Sequence, residues 1–427
     1  MLISVAVLTA ACKAPVAAQD GSVRNASLSE IEAGRYLTNA GDCISCHTNK
    51  GGKAFAGGLA VHTPFGIVYS PNITPDKETG IGKWSEQDFY NAMHLGKGNE
   101  GKHLYPAFPY PWYTKISRKD VDAIKAYLDT LTPVIQQNHA NTLDWPVSWR
   151  SSMIAWNVLY FTAGSFKPDP KKSAQYNRGA YLVEGLGHCS QCHSPKNILG
   201  AVGNGAKQLT GGYADPKEHW FAPSLSGNLR EGIGAWSVPE IVGYLKTGSN
   251  AKSATAGPMT EVVMNSTRYL SDTDLTAIAV YLKDMPQMRS TIASKTADLD
   301  GQTLARGHTL YIHNCSVCHM GNGGGFPHYF PPLKGSAAIQ AENPGTVINV
   351  VLAGASITVP SSKPTGLLMP AFGQKLNDQE IADVVNYIRN TWGNRAPLVH
   401  TDTVSEIRKN SHKPATRKSH KQTASHR

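Results

Sequence analysis

The sequence predicts a mainly α-helical protein built from three tandem copies of one small domain. Three observations support this prediction. A pattern of two cysteines and a histidine occurs three times, an amphipathic segment precedes each copy, and a capped helix with a shared apolar stripe closes each unit. With 427 residues, of which 41% are hydrophobic, the chain is long enough for several domains that each bury their own core.

The chain opens on a short apolar stretch. Residues 1–11 contain no charged side chain, and segment 16–18 offers the small residues that a signal peptidase accepts. We therefore expect residues 1–18 to be a signal peptide and the mature protein to be exported to the periplasm. A lipid on Cys12 is the alternative for this region. Downstream, no apolar run reaches the roughly 18–20 residues of a membrane-spanning helix, so none is expected in the mature protein.

Each unit begins with a segment of helical periodicity. In the first unit Glu30, Ala33 and Leu37 stand at helical spacing ahead of the first cysteine. An ordinary surface helix would show the same spacing, so it is the recurrence in register that favours a repeat. The three lead-in segments include residues 34–37, 178–182 and 306–311.

Six of the seven cysteines belong to three widely separated Cys-x-x-Cys-His motifs. This spacing lets two thiols add to the two vinyl groups of one porphyrin, while the adjacent His supplies the proximal ligand of the iron. A thioredoxin-like pair, a zinc knuckle and structural disulfides are the alternatives, and none of them requires the following His three times. We therefore expect three haem c groups. The attachment residues are Cys43, Cys46, Cys189, Cys192, Cys315 and Cys318, and the proximal ligands are His47, His193 and His319.

A proline followed two residues later by Leu or Ile lies downstream of each motif. A carbonyl in such a loop can accept the N–H of the proximal imidazole and so fix its orientation and basicity. The alternative is a proline-rich loop that only turns the chain. The prolines expected to support the proximal histidines are Pro71, Pro223 and Pro331.

An electron-transfer haem needs a second axial ligand, usually a Met thioether. Met259 and Met369 lie in proline-containing loops shortly before the last helices of their units, and both are predicted ligands. The first unit has Phe108 at this place, and a phenyl ring cannot donate to iron. Its haem is then either five-coordinate or bound by another side chain. The candidates for that replacement are Met93, His94, His103 and Met153.

Each unit closes with a helix whose start is marked by a cap residue and, three positions later, a carboxylate. A Tyr follows ten residues after every cap within an apolar stripe. These features predict that the first and last helices of each unit pack together around the porphyrin. The pairs are Ser117 with Asp120, Ser271 with Asp274, and Asn377 with Glu380.

The formal charge of +10 is concentrated at the C-terminus. Residues 408–427 contain seven Lys or Arg and no Asp or Glu, so the remainder of the chain is close to neutral. Segment 395–427 is predicted to be a disordered basic tail, either solvated or attracted to anionic lipid head groups. Because this tail has no aromatic residue to interleave with its basic side chains, no nucleic-acid partner is expected.

Together these residues resemble the triple-haem cytochrome c subunit of membrane-bound dehydrogenases from acetic acid bacteria and other proteobacteria. The similar region runs over residues 34–394. The resemblance implies class I-like cytochrome c domains at 28–140, 175–290 and 300–394, with a linker at 141–174. Its most specific segments are 69–76, 80–82, 330–333 and 383–387.

The resemblance implies an electron-transfer subunit that is not an enzyme on its own. Its partner would be a catalytic subunit with FAD, pyrroloquinoline quinone or molybdopterin, with a small third subunit as a further candidate. Electrons would pass to ubiquinone at the outer face of the cytoplasmic membrane. Two features depart from the family: Phe108 replaces a Met, and the apolar C-terminal membrane segment is absent. The alternatives are a stand-alone haem enzyme with an open first iron and a soluble haem carrier, and the partner's substrate cannot be read from this chain.

Overall fold

A computed structural model describes residues 26–203, 208–287, 299–327, 329–357 and 367–411. The predicted signal peptide, Cys12 and residues 412–427 lie outside these ranges. Within them the chain is mainly helical with short antiparallel sheets, which confirms the predicted fold class. None of the described helices combines the length and apolarity needed to cross a bilayer.

In the part of the chain that the structure describes, unit 1 contains five α-helices and a small sheet, whose third strand is the last element of the unit. Strands β1, β2 and β3 lie side by side in that order and are antiparallel. The third strand falls inside the segment predicted as linker, so the sheet extends unit 1 beyond residue 140. The elements are α1 (Leu28–Ala40), α2 (Cys43–Cys46), β1 (Ala60–Thr63), β2 (Gly66–Tyr69), α3 (Glu86–Leu95), α4 (Tyr110–Tyr113), α5 (Arg118–Asp129) and β3 (Thr142–Leu143).

The rest of the linker contains a helix, α6 (Ser152–Tyr160), which leads into unit 2. In unit 2 the first helix continues into a π-helical stretch, Leu182–Leu186, and two strands form a hairpin. Its elements are α7 (Ala174–Tyr181), α8 (Ser190–His193), β4 (Gly212–Asp215), β5 (Trp220–Ala222), α9 (Val238–Thr247), α10 (Pro258–Asn265) and α11 (Asp272–Lys283).

Unit 3 repeats the plan and adds one helix at its end. Its two strands pair antiparallel, with Ala355 opposite Met369. The elements are α12 (Gly301–Asn314), α13 (Ser316–His319), α14 (Ala337–Gln340), α15 (Gly345–Ala353), β6 (Ala355–Ile357), β7 (Leu367–Met369), α16 (Asp378–Asn390) and α17 (Thr401–Ser411).

The predicted helix starts are confirmed at the closing helix of each unit. The Ser117 and Ser271 hydroxyls accept the N–H of Asp120 and Asp274 at 3.1 Å, and Asn377 Oδ1 accepts the Glu380 N–H at 3.0 Å. These side chains satisfy N–H groups that lack a partner in the first turn. Each cap therefore fixes where the closing helix begins, and with it the register of the apolar stripe.

The first and last helices of each unit cross at a glycine. A Cβ atom on Gly34 would lie 1.9 Å from the Ala123 carbonyl oxygen, and one on Gly179 would lie 2.0 Å from the Ala277 carbonyl oxygen. Gly307 in unit 3 has the same relation to α16. A glycine inside a helix is normally unfavourable, so its recurrence here follows from the close approach of two backbones.

Replacing Gly179 by alanine should therefore destabilise the protein. The added methyl group meets backbone atoms of α11 rather than a movable side chain, and such overpacking costs about 1–3 kcal/mol in the free energy of unfolding. Gly243 in α9 provides the matched control, because a Cβ there would have no neighbour within 4 Å. Gly243→Ala should leave the urea midpoint unchanged or raise it, whereas Gly179→Ala should lower it. Equal midpoints for the two variants would contradict the packing argument.

Units 1 and 2 face each other through a reciprocal contact. Tyr36 on α1 donates to Asp274 at the start of α11 at 2.6 Å, while Tyr181 on α7 donates to Asp120 at the start of α5 at 2.5 Å. The two tyrosines follow their crossing glycines by the same two residues. The units are thus related by an approximate two-fold axis and share one apolar core.

Unit 3 joins unit 2 through different surfaces. Its helix α15 packs on the β4–β5 hairpin, where the Phe221 N–H donates to Thr346 Oγ1 at 2.9 Å and Thr346 Oγ1 donates to the Phe221 carbonyl at 2.7 Å. Thr309 occupies the position that corresponds to the interface tyrosines. Unit 3 therefore lacks the side chain that makes the reciprocal contact.

The prediction of disorder from residue 395 onwards is wrong for α17. Val404 and Ile407 are buried in the core of unit 3, with exposed fractions of 0% and 2%. Arg408 bonds to the Leu376 carbonyl at 2.9 Å and pairs with Asp378 at 2.6 Å. These contacts with residues about thirty positions earlier hold a segment whose local sequence is polar.

Candidate functional site

Each Cys-x-x-Cys-His motif folds as a single helical turn. The backbone N–H of His47 donates to the carbonyl of Cys43 at 3.0 Å, and the second and third motifs close in the same way at 2.9 Å. A turn of this kind brings both cysteines and the following histidine to neighbouring positions on one side of the chain. All six cysteines are free thiols.

The first thiol of each motif is not activated as a nucleophile. Burial raises the pKa of the Cys43 and Cys189 thiols to about 12 and that of the Cys315 thiol to about 11. Cysteines of thioredoxin-like sites have lowered pKa values that keep a thiolate available. The environment of the first cysteine in each motif therefore does not favour thiol–disulfide exchange.

The imidazole that follows each pair is fixed by a proline carbonyl. His47 Nδ1 lies 2.7 Å from the Pro71 oxygen, and the equivalent distances are 2.7 Å for His193 to Pro223 and 2.9 Å for His319 to Pro331. Burial lowers the pKa of all three rings, and the proline carbonyls partly offset this. Each ring is thus neutral at neutral pH with Nδ1–H donating, which leaves Nε2 with a free lone pair.

The structure places Met259 and His193 in unit 2, and Met369 and His319 in unit 3, around the same interior space. All four line one continuous cavity that extends from unit 2 into unit 3. The two thioethers lie on regular elements rather than in loops. Met259 is in the first turn of α10. Pro258 begins this helix, and its ring fixes φ at a helical value. Met369 is the last residue of strand β7.

Phe108 occupies the position in unit 1 that Met259 has in unit 2. The backbone N–H of Leu104 donates to Gly96 and that of Thr255 donates to Gly248, both at 2.8 Å, after the middle helix of each unit. Phe108 and Met259 each follow four residues later. The Phe108 ring packs edge-on against Tyr113 with ring centroids 5.4 Å apart.

The side chains that could replace a Met in unit 1 have other surroundings. Met93 is 4% exposed in the core shared by units 1 and 2, and Met153 belongs to a separate cluster with Tyr105, Tyr110 and Trp156. His94 stacks on Tyr90 with centroids 4.8 Å apart, and the Nδ1 atom of His103 is buried without a hydrogen-bond partner in the described part of the chain.

The cavity of units 2 and 3 is lined mainly by apolar side chains. Leu182, Val183 and Ile241 contribute from unit 2, and Val351 and Val384 contribute from unit 3. A large planar ligand that is itself apolar could be enclosed here, and the imidazoles and thioethers in the lining would offer nitrogen and sulfur donors to a metal that it carries. The continuity of the cavity would place two such ligands close together.

Comparison with known proteins agrees with this geometry. The cytochrome c family model matches residues 31–132 and 304–392, which fall in units 1 and 3. The gluconate 2-dehydrogenase cytochrome c subunit of Pantoea cypripedii is 39% identical over 394 residues, covering 89% of each chain. The alcohol dehydrogenase (quinone) cytochrome c subunit of Gluconobacter oxydans is 40% identical over 89% of this chain and 81% of that protein. This chain belongs to the family of cytochrome c subunits of dehydrogenase complexes.

A further relative of this cytochrome c subunit is much longer. A nicotinate dehydrogenase subunit of Pseudomonas putida is 41% identical over 378 residues, which are 87% of this chain but 31% of that protein. Membership of the family means that the cytochrome c subunit carries haem c and transfers electrons from a catalytic subunit.

The residues of the cytochrome c subunit fit haem c. Each motif offers two free thiols and a neutral imidazole, and the cavity around two of them is apolar. Arg230, in the loop after Pro223, has buried Nε and Nη2 atoms without a hydrogen-bond partner in the described part of the chain. A guanidinium in this state suits an anionic group such as a haem carboxylate. The haem supplies the one-electron change at iron, and the protein residues hold it and exclude water.

Sequence reasoning missed Asp42, which directly precedes Cys43. Its side chain is partly buried, and burial raises the pKa of its carboxyl group to about 7, with Glu261 as a further cause. The sequence does contain a signal for this position, because a polar residue directly precedes the first cysteine of every motif. The residues at this position are Asp42, His188 and Asn314.

Proposed function

We propose that this chain carries three haem c groups and passes electrons from the catalytic subunit of a periplasmic dehydrogenase to ubiquinone. The observation that carries the proposal is the threefold repetition of one arrangement: two free thiols and a neutral imidazole held by a proline carbonyl. A protein with only one such site could be a simple carrier. Three sites in one chain suit transfer over a distance between two partners.

In this proposal the thioether bonds form at Cys43 with Cys46, Cys189 with Cys192, and Cys315 with Cys318. His47, His193 and His319 are the proximal ligands, supported by Pro71, Pro223 and Pro331. Met259 and Met369 are the distal ligands of the second and third haems, and the shared cavity supports a short path between these two. Met259 and Met369 lie on a helix and a strand, so regular backbone hydrogen bonds support both positions.

The partner of this proposal is a flavin-, quinone- or molybdenum-dependent catalytic subunit. Named relatives serve gluconate, alcohol, fructose and nicotinate dehydrogenases. The experiment combines two measurements on the mature protein. Mass spectrometry should find three added porphyrins, and stopped-flow mixing of the reduced protein with a soluble ubiquinone analogue should reoxidise it. A mature chain without porphyrin would refute the proposal, and one that ubiquinone cannot reoxidise would refute its acceptor.

The proposal also includes peripheral contact with the outer face of the cytoplasmic membrane. Around α6, Trp145 and Trp149 are 84% and 67% exposed, and Val158 and Leu159 are 81% and 67% exposed. Helix α6 contains no charged residue. Trp side chains beside exposed aliphatic ones are typical of segments that lie in the interface of a bilayer.

Vesicle sedimentation tests this contact. The double variant Val158→Ser and Leu159→Ser should bind neutral phosphatidylcholine vesicles less tightly than the wild type does. Removal of residues 412–427 should instead weaken binding to vesicles that contain anionic lipid, and only at low salt. If the wild type sediments with neither kind of vesicle, the membrane part of the proposal is wrong.

Phe108 favours a second candidate function, an enzyme that uses an open first iron. An iron without a distal side chain can bind and activate a small substrate, as haem peroxidases do. Turnover of peroxide by the purified protein, without any partner, would support this function. Wild-type and Phe108→Met proteins that turn over peroxide equally slowly would exclude it.

A further inference from the structure

The side chain of Asp42 lies where units 1 and 2 meet. It directly precedes Cys43 of unit 1, and it also lines the cavity around Cys192, His193 and Met259 of unit 2. Its φ of 51° is in the left-handed region, where the chain turns from α1 into α2. The carboxyl group is therefore adjacent to an attachment residue of the proposed first haem and also part of the lining proposed to enclose the second.

Two hydrogen bonds connect this carboxyl group to the facing helix α10. Ser45 Oγ donates to Asp42 Oδ1 at 2.6 Å, and Asn265 Nδ2 of the facing helix α10 donates to Ser45 Oγ at 2.9 Å. The charged side chain that acts on Asp42 from α10 is Glu261, which has the same sign. The other titratable groups facing it are the thiols of Cys43, Cys46 and Cys192 and the phenol of Tyr113 on α4.

Attachment of haem changes these surroundings. The thiols become thioethers and no longer titrate, so Glu261 and Tyr113 remain as titratable protein neighbours, and each haem adds two propionic acid groups of its own. Burial already raises the pKa of Asp42 to about 7. A carboxyl group in this state exchanges its proton near neutral pH, where a small change in nearby charge alters its occupancy.

We propose that the Asp42 carboxylate takes up a proton when the first or second haem is reduced, so that electron transfer between these haems is coupled to proton binding. The inference rests on the proposed haem-carrying function. The electron comes from the dehydrogenase and the proton from solvent, and the product is a neutral carboxylic acid. A ferric haem has one more positive charge than a ferrous one. Its reduction therefore removes an attraction that favoured the carboxylate.

The sign of the effect on the reduction potential follows from the charge of Asp42. When the carboxylate is ionised, its negative charge stabilises the ferric state and lowers the potential of the neighbouring haem. When it is protonated, the group is neutral and the potential is higher. The potential should therefore fall as the pH rises through the titration of Asp42.

The variant Asp42→Asn tests the proposal. Asparagine tolerates the left-handed backbone region, and Asn314 stands at the same position before the third motif. Spectroelectrochemical titration of the haem-loaded full chain between about pH 5 and 9 should show a pH-dependent potential for one haem of the wild type. For one proton per electron, the equilibrium constant for reduction of the haem changes at most tenfold per pH unit. This change corresponds to about 59 mV in the reduction potential. In Asp42→Asn the potential of this haem should not change with pH, and it should equal the potential that the wild type has at low pH.

Two further variants separate Asp42 from other groups. Asp42→Glu should keep the pH dependence, and Glu261→Gln should move it to lower pH because a repulsive charge is lost. Reduced-minus-oxidised infrared spectra should show the C=O band of a protonated carboxyl in the wild type but not in Asp42→Asn. An unchanged pH dependence in Asp42→Asn, or a flat profile in a wild type that carries its haems, would overturn this inference alone. A chain without haem would overturn the proposed function as well.

Discussion

Replacement of Phe108 by methionine is expected to give the haem of unit 1 a thioether ligand and to raise its reduction potential by roughly 0.1 V or more, within the ~0.8 V range that axial ligands span. Met259 stands at the equivalent position of unit 2, four residues after the same backbone hydrogen bond. A Met side chain at position 108 would therefore start from the same backbone hydrogen bond as the proposed ligand Met259. Redox titration and EPR spectra measure the change.

Carbon monoxide provides an independent readout of the same prediction. In the wild type one reduced haem should bind it readily, because Phe108 leaves the iron accessible. In Phe108→Met that haem should bind it slowly or not at all, while Phe108→Leu, which adds no donor, should behave like the wild type. If all three haems of the wild type already have His/Met spectra, another residue ligates the first iron and the prediction is wrong.

Replacement of Met259 by leucine is expected to have the opposite effect on the haem of unit 2. The thioether is lost, the iron gains high-spin character, and its potential falls by roughly 0.1 V or more because Met ligation raises the potential. Leucine has nearly the volume of methionine, so the cost to the free energy of unfolding should stay below about 1.5 kcal/mol. Potentiometry and the loss of the Met–iron charge-transfer band measure the result.

The matched control is Met264→Leu in the same helix. Met264 is not among the residues that line the cavity, and its Sδ atom lies 3.6 Å from Arg268. The same chemical change five residues further along should therefore leave all potentials unchanged. Met259→Leu with unaltered spectra would mean that another group holds the second iron.

The local features of the fold could be predicted from the sequence because they depend on neighbouring residues. A cap such as Ser271 acts on a backbone N–H three residues away, and the closing helix then follows from its apolar stripe. The turn that brings Cys43 and His47 together is likewise local. For the site, the sequence places Phe108 and Met259 in the segment before their closing helices, at nine and twelve residues from the caps. Their equivalence becomes clear only from the shared backbone hydrogen bond four residues earlier.

The remaining features depend on contacts between distant residues. Helix α17 is held by Arg408 against Asp378, and neither residue signals this contact in its own segment. The merging of two cavities depends on how units 2 and 3 pack, and Asp42 acquires its raised pKa only where unit 1 meets α10 of unit 2. Such properties belong to interfaces between units, which a repeat pattern within each unit does not describe.

The mutual tyrosine–carboxylate contact of units 1 and 2 limits how this architecture can grow. A face that pairs with its own counterpart is fully used once two copies have met, so it forms closed pairs and never a longer row. An added module must therefore attach sideways, as the third one does through the β4–β5 hairpin. A longer chain of such units would therefore have to repeat the contact between units 2 and 3, with its Phe221–Thr346 hydrogen bonds. Repeating the symmetric contact between units 1 and 2 would not extend it.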